Sequence, residues 1–419
     1  MFLSLFVSRD PNNEHYFRER GRPMKVTGLT QKLKLREVEI PNRIVLSPMQ
    51  MYKASKHGHM TDWHLVHYGK YAYAKFGLIF TEVLCVEKRG RSTYSDAGIW
   101  NDSHVKQLKK IAAYIRAQGS IPAAQIGHCG PKSSRQRPYD GLQPLKNTQN
   151  KEEPGWRIVS CSGIPAAPGY DTPSALSTSG VKSLVKKFGL AAKRCDEAGF
   201  DVLDVHAAHG YLIHSFLSPL SNLRTDEYGG SKQNRNKFAI EIALEIRKFW
   251  PSNKPLFFRL SCIDRFPGGL EIEDTISLSK ALKKAGVDLI DCSSGGIKGP
   301  NSLFSLAAKE MPKPGFQVGF AEAIKQKANI ATMAVGMISE PRHANNIIEQ
   351  KKADLIALGR EALVNPNWPL YAMRELSEDK NFNDWPPNSG WWLEVRQRML
   401  NSSDPNDWKV GPAASNTPK

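Results

Sequence analysis

The sequence contains no apolar run that approaches a membrane-spanning helix, which needs about 18 residues. It has only six cysteines in 419 residues, and none forms a Cys-x-x-Cys pair. This scarcity argues against a metal site or a redox dithiol and fits a reducing cytosol. The Gly-x-Gly-x-x-Gly turn that opens a dinucleotide-binding Rossmann sheet is also missing. We therefore expect a cytoplasmic protein with no membrane partner and no metal.

Acidic residues are outnumbered by basic ones, 41 to 58, which gives a formal net charge of +17. Such a charge can attract phosphates or nucleic acid. The lysines are spread along the whole chain, however, as at Lys106–Lys110 and Lys182–Lys187, without interleaved aromatic residues. Binding of a phosphate backbone needs a clustered basic face. We therefore expect a solvated basic surface and no nucleic-acid partner.

The two ends of the chain differ from its middle. The chain starts with the apolar run MFLSLFV, but no basic segment precedes this run and it is short for the core of a signal peptide. We predict a flexible N-terminal extension over residues 1–30. A regular pattern fills residues 31–378, and the polar, proline-rich residues 379–419 are predicted to form a C-terminal tail.

Within the regular region, short apolar or β-branched runs alternate with longer segments of helical periodicity. Eight strands are predicted, at Ile44–Ser47, Leu78–Glu82, Ile121–Gln125, Val202–His206, Leu256–Leu260, Leu289–Ser293, Ala331–Val335 and Leu355–Leu358. Helices are predicted at Asp102–Ala117, Ser177–Ala198, Asn234–Trp250, Glu273–Lys284, Phe320–Lys327 and Pro341–Gln350. Eight strand–helix repeats favour an α/β fold, a closed (β/α)8 TIM barrel. The long interval from Gly127 to Leu176 predicts a cap loop after the third strand.

The active site of such a barrel lies at the C-terminal ends of its strands. The last two strands end in Gly336-Met337 and Gly359-Arg360, where backbone N–H groups and a helix start can bind a phosphate. Arg259, near the end of the fifth strand, would be costly to bury without an anionic partner. These residues predict an anion site at one mouth of the barrel.

The fourth strand ends in the most informative segment, HAAHGY, with His206, His209 and Tyr211. Two histidines could bind zinc, but the nearest acid, Asp204, lies within the strand and no cysteine is close. Imidazole N–H groups can instead donate to a substrate carbonyl, and a tyrosine can deliver a proton. The segment therefore favours groups that polarise a substrate carbonyl and deliver a proton, with structural core histidines as the alternative.

These segments resemble the Old Yellow Enzyme family, in particular its bacterial thermophilic-like branch. The similarity rests on several stretches in the family's order, among them NRIVLSPM (Asn42–Met49), GLIFTEV (Gly77–Val83), HAAHGYLIHSFLSPLSNLRTDEYGGS (His206–Ser231), GVDLIDCSSGG (Gly286–Gly296) and ADLIALGREALVNPNW (Ala353–Trp368). It covers residues 32–376. The resemblance implies a flavoprotein in which residues 31–378 bind FMN without a covalent bond.

The resemblance also assigns roles to individual residues. The residues that would surround the FMN ring are Ser47, Pro48, Met49, Gln50 and Val83. Gln125 would bind the pyrimidine edge of the ring, and Arg259 would lie beside the reduced ring. The phosphate would be held by Gly336, Met337, Gly359 and Arg360. His206 and His209 would bind the carbonyl or nitro oxygen of the substrate. Tyr211 would be the proton donor, and Tyr52 a second phenol that faces the substrate.

The implied reaction is that of an ene-reductase with NADPH or NADH as electron donor, which reduces α,β-unsaturated carbonyl or nitro compounds by ping-pong hydride transfer. Partners would be small molecules, with a homo-oligomer permitted. Two alternatives stay open. One is a tRNA-dihydrouridine-synthase-like flavin barrel, suggested by the positive charge; the other is a flavin-binding protein that has lost its ene-reductase activity.

The sequence departs from the branch at several positions. Gln50 replaces a usual cysteine and Val83 a usual alanine, so the surroundings of the flavin and the substrate specificity are expected to change. The run HCGPK (His128–Lys132) lacks an arginine of the family's HAGRK. Trp391 lies where an arginine usually reaches into a neighbouring subunit.

Overall fold

The computed structural model describes residues 28–145, 152–297, 312–377 and 382–402. The chain divides into two compact units, of which one is Gly28–Pro369 and the other includes Leu370–Lys419. Apart from a short 3-10 turn at Gly28–Thr30, the predicted N-terminal extension lies outside the described residues. The same holds for residues 379–381 and 403–419 of the predicted tail. No helix among the described residues is both long and apolar enough to cross a membrane.

All eight predicted strands are present, and they close into one parallel barrel. The strands of the chain are β1 (Leu33–Leu35), β2 (Val38–Ile40), β3 (Ile44–Leu46), β4 (Leu78–Cys85), β5 (Ile121–Gly127), β6 (Val159–Ser160), β7 (Ser174–Ala175), β8 (Val202–Ala207), β9 (Leu256–Ser261), β10 (Leu289–Ser293), β11 (Ala331–Val335) and β12 (Leu355–Leu358). The barrel order is β3-β4-β5-β8-β9-β10-β11-β12, and β12 pairs with β3. The predicted TIM barrel is therefore confirmed.

In the described residues, eight helices lie between barrel strands in the chain, and three follow the last strand, β12. They are α1 (Asp62–Tyr73), α2 (Val105–Ala117), α3 (Thr178–Glu197), α4 (Leu212–Leu217), α5 (Lys232–Arg247), α6 (Ile272–Lys284), α7 (Val318–Ala328), α8 (Pro341–Glu349), α9 (Arg360–Val364), α10 (Trp368–Ser377) and α11 (Pro387–Asn401). Helix α1 was not predicted, because its buried face consists largely of His64, His67, Tyr68 and Tyr71. These polar aromatic residues give a weak apolar period even at helical spacing.

The end of the barrel at which its strands begin, here called the lower end, is closed by an apolar core. Val45, Leu78, Val202, Phe257 and Leu289 meet there, covered by the antiparallel hairpin β1–β2. Near-continuous apolar strands suit a sheet that is covered on both faces. This arrangement makes the lower end a packed plug, so the chemistry of the barrel is confined to the opposite end.

The cap predicted between the third barrel strand and the next helix is present in the described residues. It carries the short parallel pair β6–β7, with Val159 opposite Ser174. A bridge between Arg135 and Pro144 folds its first part back on itself. All six cysteines of the chain are free and buried, so no disulfide stabilises the cap.

Candidate active site

Three neighbouring strands carry side chains into the barrel at three levels. At the lower level lie Val202, Phe257 and Leu289; two residues further along each strand lie Asp204, Arg259 and Asp291. A further step of two brings His206, Ser261 and Ser293 to the rim. Side chains two apart on a strand face the same side, so each strand passes from apolar to charged to polar. A charged layer therefore lies directly beneath the mouth.

The charged layer is buried and incompletely paired. Arg259 Nε lies 3.2 Å from Asp291 Oδ2, but neither atom has a hydrogen bond of acceptable geometry. Asp204 Oδ2 accepts a 2.6 Å bond from Gln125 Nε2, whereas its Oδ1 is buried without a partner. Burial, followed by the nearby Asp291, raises the pKa of Asp204 to about 7. Burial also raises the pKa of Asp291, against the opposing effect of Arg259.

The Asp204 carboxyl predicts a measurable pH dependence of stability. Its pKa rises from the ordinary aspartate value of 3.8 to about 7 in the fold. Between these values the folded chain binds more protons than the unfolded chain, so the free energy of unfolding falls as pH rises. Asp204→Asn keeps the bond to Gln125 but cannot ionise. We expect its melting temperature to fall less than that of the wild type across this pH range.

Asp171→Asn, at an exposed position, is the matched control and should keep the wild-type pH dependence. Thermal unfolding, monitored by circular dichroism at the low and at the high end of this pH range, measures the difference. An unchanged pH dependence in Asp204→Asn would show that other groups are responsible.

The two histidines form a directed chain of hydrogen bonds at the rim. His206 Nδ1 accepts from the Ala208 N–H at 3.3 Å, so the proton of this ring is assigned to Nε2. His206 Nε2 lies 3.2 Å from His209 Nδ1, and His209 Nε2 lies 2.7 Å from Ser293 Oγ. Burial, together with Arg259, lowers the pKa of both rings well below the ordinary value. The rings are therefore neutral donors at physiological pH.

Two phenols lie beside the histidine pair. The Tyr211 ring is 4.7 Å from the His206 ring, and Tyr52 is partly buried nearby in contact with Tyr139. Burial raises the pKa of Tyr52 and of Tyr211 far above 10, and the nearby Tyr52 contributes to the rise at Tyr211. Both phenols therefore keep their protons. The cap contributes Arg135, which donates to the Tyr170 hydroxyl and interacts electrostatically with Tyr211.

Three residues assigned to the site have left-handed backbone conformations. Their φ angles are 56° at Tyr52, 60° at His209 and 52° at Met337. This region costs a non-glycine residue of order 1–3 kcal/mol and is held only where the surrounding structure fixes it. His209 is held by its N–H, which donates to Ser261 Oγ at 2.9 Å. Such clustering of backbone strain is typical of functional sites.

The turn that carries His209 is packed against the end of β10. A methyl group on Gly210 would lie 2.1 Å from the Gly296 carbonyl oxygen. Buried Lys132 ties the two segments together, because its ammonium donates to the His209 oxygen at 2.8 Å and to the Gly296 oxygen at 2.6 Å. Burial lowers the pKa of Lys132 to about 7. The position of His209 thus depends on a backbone approach that only glycine permits.

We expect Gly210→Ala to destabilise the protein much more than Gly230→Ala. Both glycines have φ near 74°, but nothing lies within 4 Å of an added methyl at Gly230. The control therefore measures backbone strain alone, of order 1–2 kcal/mol. Overpacking at Gly210 adds roughly 1–3 kcal/mol. Urea unfolding of the two variants gives the difference, and equal losses would contradict the packing argument.

The ends of β11, β12 and β3 enclose a cavity of about 570 Å³. Most residues assigned to FMN border it, namely Ser47, Pro48, Met49, Arg259, Gly336, Met337, Gly359 and Arg360. His209 and Ser293 line its inner side. Helix α9 begins at Arg360, and its first N–H groups have no acceptor within the helix. The volume lies within the range of cofactor sites, roughly 300–1,000 Å³.

Three residues assigned to FMN do not border this cavity: Gln50, Val83 and Gln125. Val83 and Gln125 are register partners on β4 and β5, deeper in the barrel wall. The Gln50 side-chain nitrogen is buried without a hydrogen-bond partner. His206, Tyr211 and Tyr52 also lie outside the cavity lining, although His206 contacts both His209 and Tyr211.

Several residues of the site were not predicted from the sequence. They are Asp291 and Ser293 on β10, and Lys132 and Arg135 in the cap. Asp291 and Ser293 could have been found from strand parity, because they lie two and four residues after Leu289. Lys132 and Arg135 have no such signal, since their contacts cross long separations in an irregular segment. Lys132 and Arg135 nevertheless provide positive charge beside the site, although the HCGPK run lacks the arginine that the family has there.

The chain is similar to known oxidoreductases over most of its length. The family model of the NADH:flavin oxidoreductase / NADH oxidase family matches residues 29–379. The chain is 41% identical over 343 residues to a NADPH dehydrogenase of Geobacillus sp. (strain WCH70), covering 82% of this chain and 92% of that protein. It is 41% identical to a NADPH dehydrogenase of Bacillus subtilis (strain 168), covering 82% and 94%. The structure of morphinone reductase shares its fold, with a TM-score of 0.67, 23% identity and coverage of 93% and 94%.

Proposed function

We propose that this chain, which belongs to the NADH:flavin oxidoreductase / NADH oxidase family, reduces an activated alkene. This is the family that the sequence resemblance named as the Old Yellow Enzyme family. The chain is an oxidoreductase that uses FMN and a nicotinamide donor. We propose NADPH as that donor, as in the names of the two relatives. Family membership favours this function over the tRNA-reducing alternative. A homo-oligomer and a cytoplasmic location stay predictions.

The cavity of about 570 Å³ has the chemistry that FMN requires. Gly336, Met337, Gly359 and Arg360 would hold the phosphate through backbone N–H groups and the Arg360 side chain. Arg259, which borders the cavity, would lie beside the ring, because its Nε is 3.2 Å from Asp291 Oδ2 without a hydrogen bond and the pair leaves charge for a ligand. When bound, FMN supplies two-electron transfer between the nicotinamide and the second substrate.

The observation that carries the proposed reaction is the neutral histidine pair with Tyr211 beside it. The His206 Nε2–H would turn from His209 Nδ1, and the His209 Nε2–H from Ser293 Oγ, to the carbonyl or nitro oxygen of the substrate. Fixed donors of this kind stabilise negative charge that develops on oxygen, as in an oxyanion hole. Tyr211, which keeps its proton because of burial, would donate that proton to the α-carbon.

An anaerobic titration tests the proposal. The purified, FMN-loaded protein is mixed with NADPH until the visible flavin absorbance is lost, and cyclohexenone or maleimide is then added. Return of the absorbance, with formation of the saturated product, is the expected result. Loss of absorbance that only tRNA reverses would support the dihydrouridine-synthase-like alternative. Failure of NADPH to change the absorbance would support a protein that has lost the activity.

A further inference from the structure

A second cavity lies outside the active site. It has a volume of about 800 Å³ and is bordered by the segment after β4, by helix α3 and by residues 154–157 of the cap. It shares no lining residue with the cavity assigned to FMN. Its volume falls in the range of small-molecule sites, roughly 300–1,000 Å³. None of the roles assigned above uses it.

The lining of this cavity is strongly basic. Its charged residues are six cations, Lys88, Arg89, Arg91, Arg157, Lys187 and Arg194, and one carboxylate, Glu87. Glu87 already contacts Arg89, Lys187 and His128, and Arg194 pairs with Asp102. Among the described residues, no carboxylate lies within ion-pair distance of Lys88, Arg91 or Arg157. The cavity therefore carries an excess of positive charge, which favours an anionic ligand.

Arg91 is the most unusual of these cations, because it is only 2% exposed. Its Nε donates to the Lys88 oxygen and its Nη1 to the Lys56 oxygen, both at 2.9 Å. Burial lowers its pKa. A buried guanidinium is normally paired with a carboxylate or phosphate. Here its hydrogen bonds go to carbonyl oxygens, and the Asp96 and Glu153 carboxylates act on it electrostatically without forming an ion pair.

Three partly exposed aromatic residues, Tyr94, Trp100 and Trp156, line the same cavity. The Arg91 guanidinium carbon lies 5.2–5.4 Å from their ring centres. The rings are held rigidly, since the Tyr94 hydroxyl donates to the Pro154 oxygen and Trp156 Nε1 to the Arg89 oxygen. Packing of the cap explains the contacts between rings and Arg91. It does not explain Lys88 and Arg157 at the same opening. Neither has a carboxylate partner among the described residues, and Arg157 Nε donates to Ser174 Oγ at 2.7 Å.

We propose that this cavity binds a planar aromatic molecule that carries a phosphate or carboxylate group. The rings of Trp156 and Trp100 would stack on the aromatic part, and Lys88, Arg91 and Arg157 would bind the anionic group. The site also has a physical connection to the catalytic end. Glu87 at its wall contacts His128 Nε2 at 3.0 Å, and the His128 oxygen accepts from the Leu212 N–H, next to Tyr211.

Isothermal titration calorimetry on the FMN-loaded protein tests the proposal, with AMP as the phosphate probe and naphthoate as the carboxylate probe. Saturable binding of either is expected without a change in the visible flavin spectrum. Adenosine, which lacks the anion, should bind at least about tenfold more weakly than AMP. A flavin spectrum that shifts with occupancy would place the ligand in the active site and overturn the proposal.

Variants locate the binding. Lys88→Glu and Arg157→Glu change exposed residues and should each weaken binding about tenfold, as should Trp156→Leu through loss of stacking. Lys186→Glu is the matched control: it makes the same charge change on α3 but does not line the cavity. Equal loss in the control, no loss in the cavity variants, or no binding of either probe would each refute the site.

Discussion

Tyr211→Phe is expected to slow the reduction of cyclohexenone by about 10²–10⁴-fold, the usual contribution of a general acid. The rate at which NADPH reduces the flavin should change little, because that half of the reaction needs no proton from this phenol. Phenylalanine keeps the ring that contacts His206 at 4.7 Å, so the histidine pair should stay in place. Anaerobic stopped-flow mixing measures the two half-reactions separately.

Tyr52→Phe is the matched control for this experiment. It removes a second, partly buried phenol of the same site, also with a raised pKa, but one to which no proton transfer is assigned. We expect it to weaken substrate binding with a much smaller effect on the rate at saturation. Equal slowing of both half-reactions in Tyr211→Phe would contradict the role of Tyr211 as proton donor.

Arg259→Met is expected to lower the free energy of unfolding by about 3–5 kcal/mol, because it leaves a buried carboxylate without its partner. Asp291 is fully buried and lies 3.2 Å from the guanidinium. The variant should also lose most of its affinity for FMN, since the cation beside the proposed ring position is gone. Urea unfolding measures the first effect, and fluorescence of the released flavin measures the second.

The double variant Arg259→Met/Asp291→Asn separates these two effects. Removing both charges takes away the unpaired carboxylate, so much of the stability should return. The affinity for FMN should stay low, because asparagine supplies no positive charge. If the double variant bound FMN as well as the wild type, Arg259 would serve only to neutralise Asp291. Asp291→Asn alone shows how much the carboxylate contributes in the presence of Arg259.

The barrel could be predicted because each of its strands carries a local signal. Runs such as Leu289–Ser293, Ala331–Val335 and Leu355–Leu358 were predicted with the bounds that the structure has. A strand covered on both faces is apolar along most of its length, and this is visible without knowledge of its neighbours. Helix α1 was missed because the residues that it buries are histidines and tyrosines, which no apolar pattern registers.

The site could be predicted only in part. His206, His209 and Tyr211 follow one another in a short segment, so their proximity is already evident from the chain. The layer of Asp204, Arg259 and Asp291 comes from three separate strands, and its partial pairing depends on distances across the barrel. The close approach of Gly210 to Gly296 likewise joins segments that are far apart in the chain.

The amino-acid sequence by itself determined the order of strands and helices, the family, and the identity of the groups at the strand ends, because these depend on local pattern and residue type. Tertiary structure alone decided the protonation of the histidines, the raised pKa of Asp204 and the basic cavity around Arg91. These properties depend on burial and on neighbours brought together by barrel closure and by the cap. A charge without a counter-charge is apparent only once its surroundings are known.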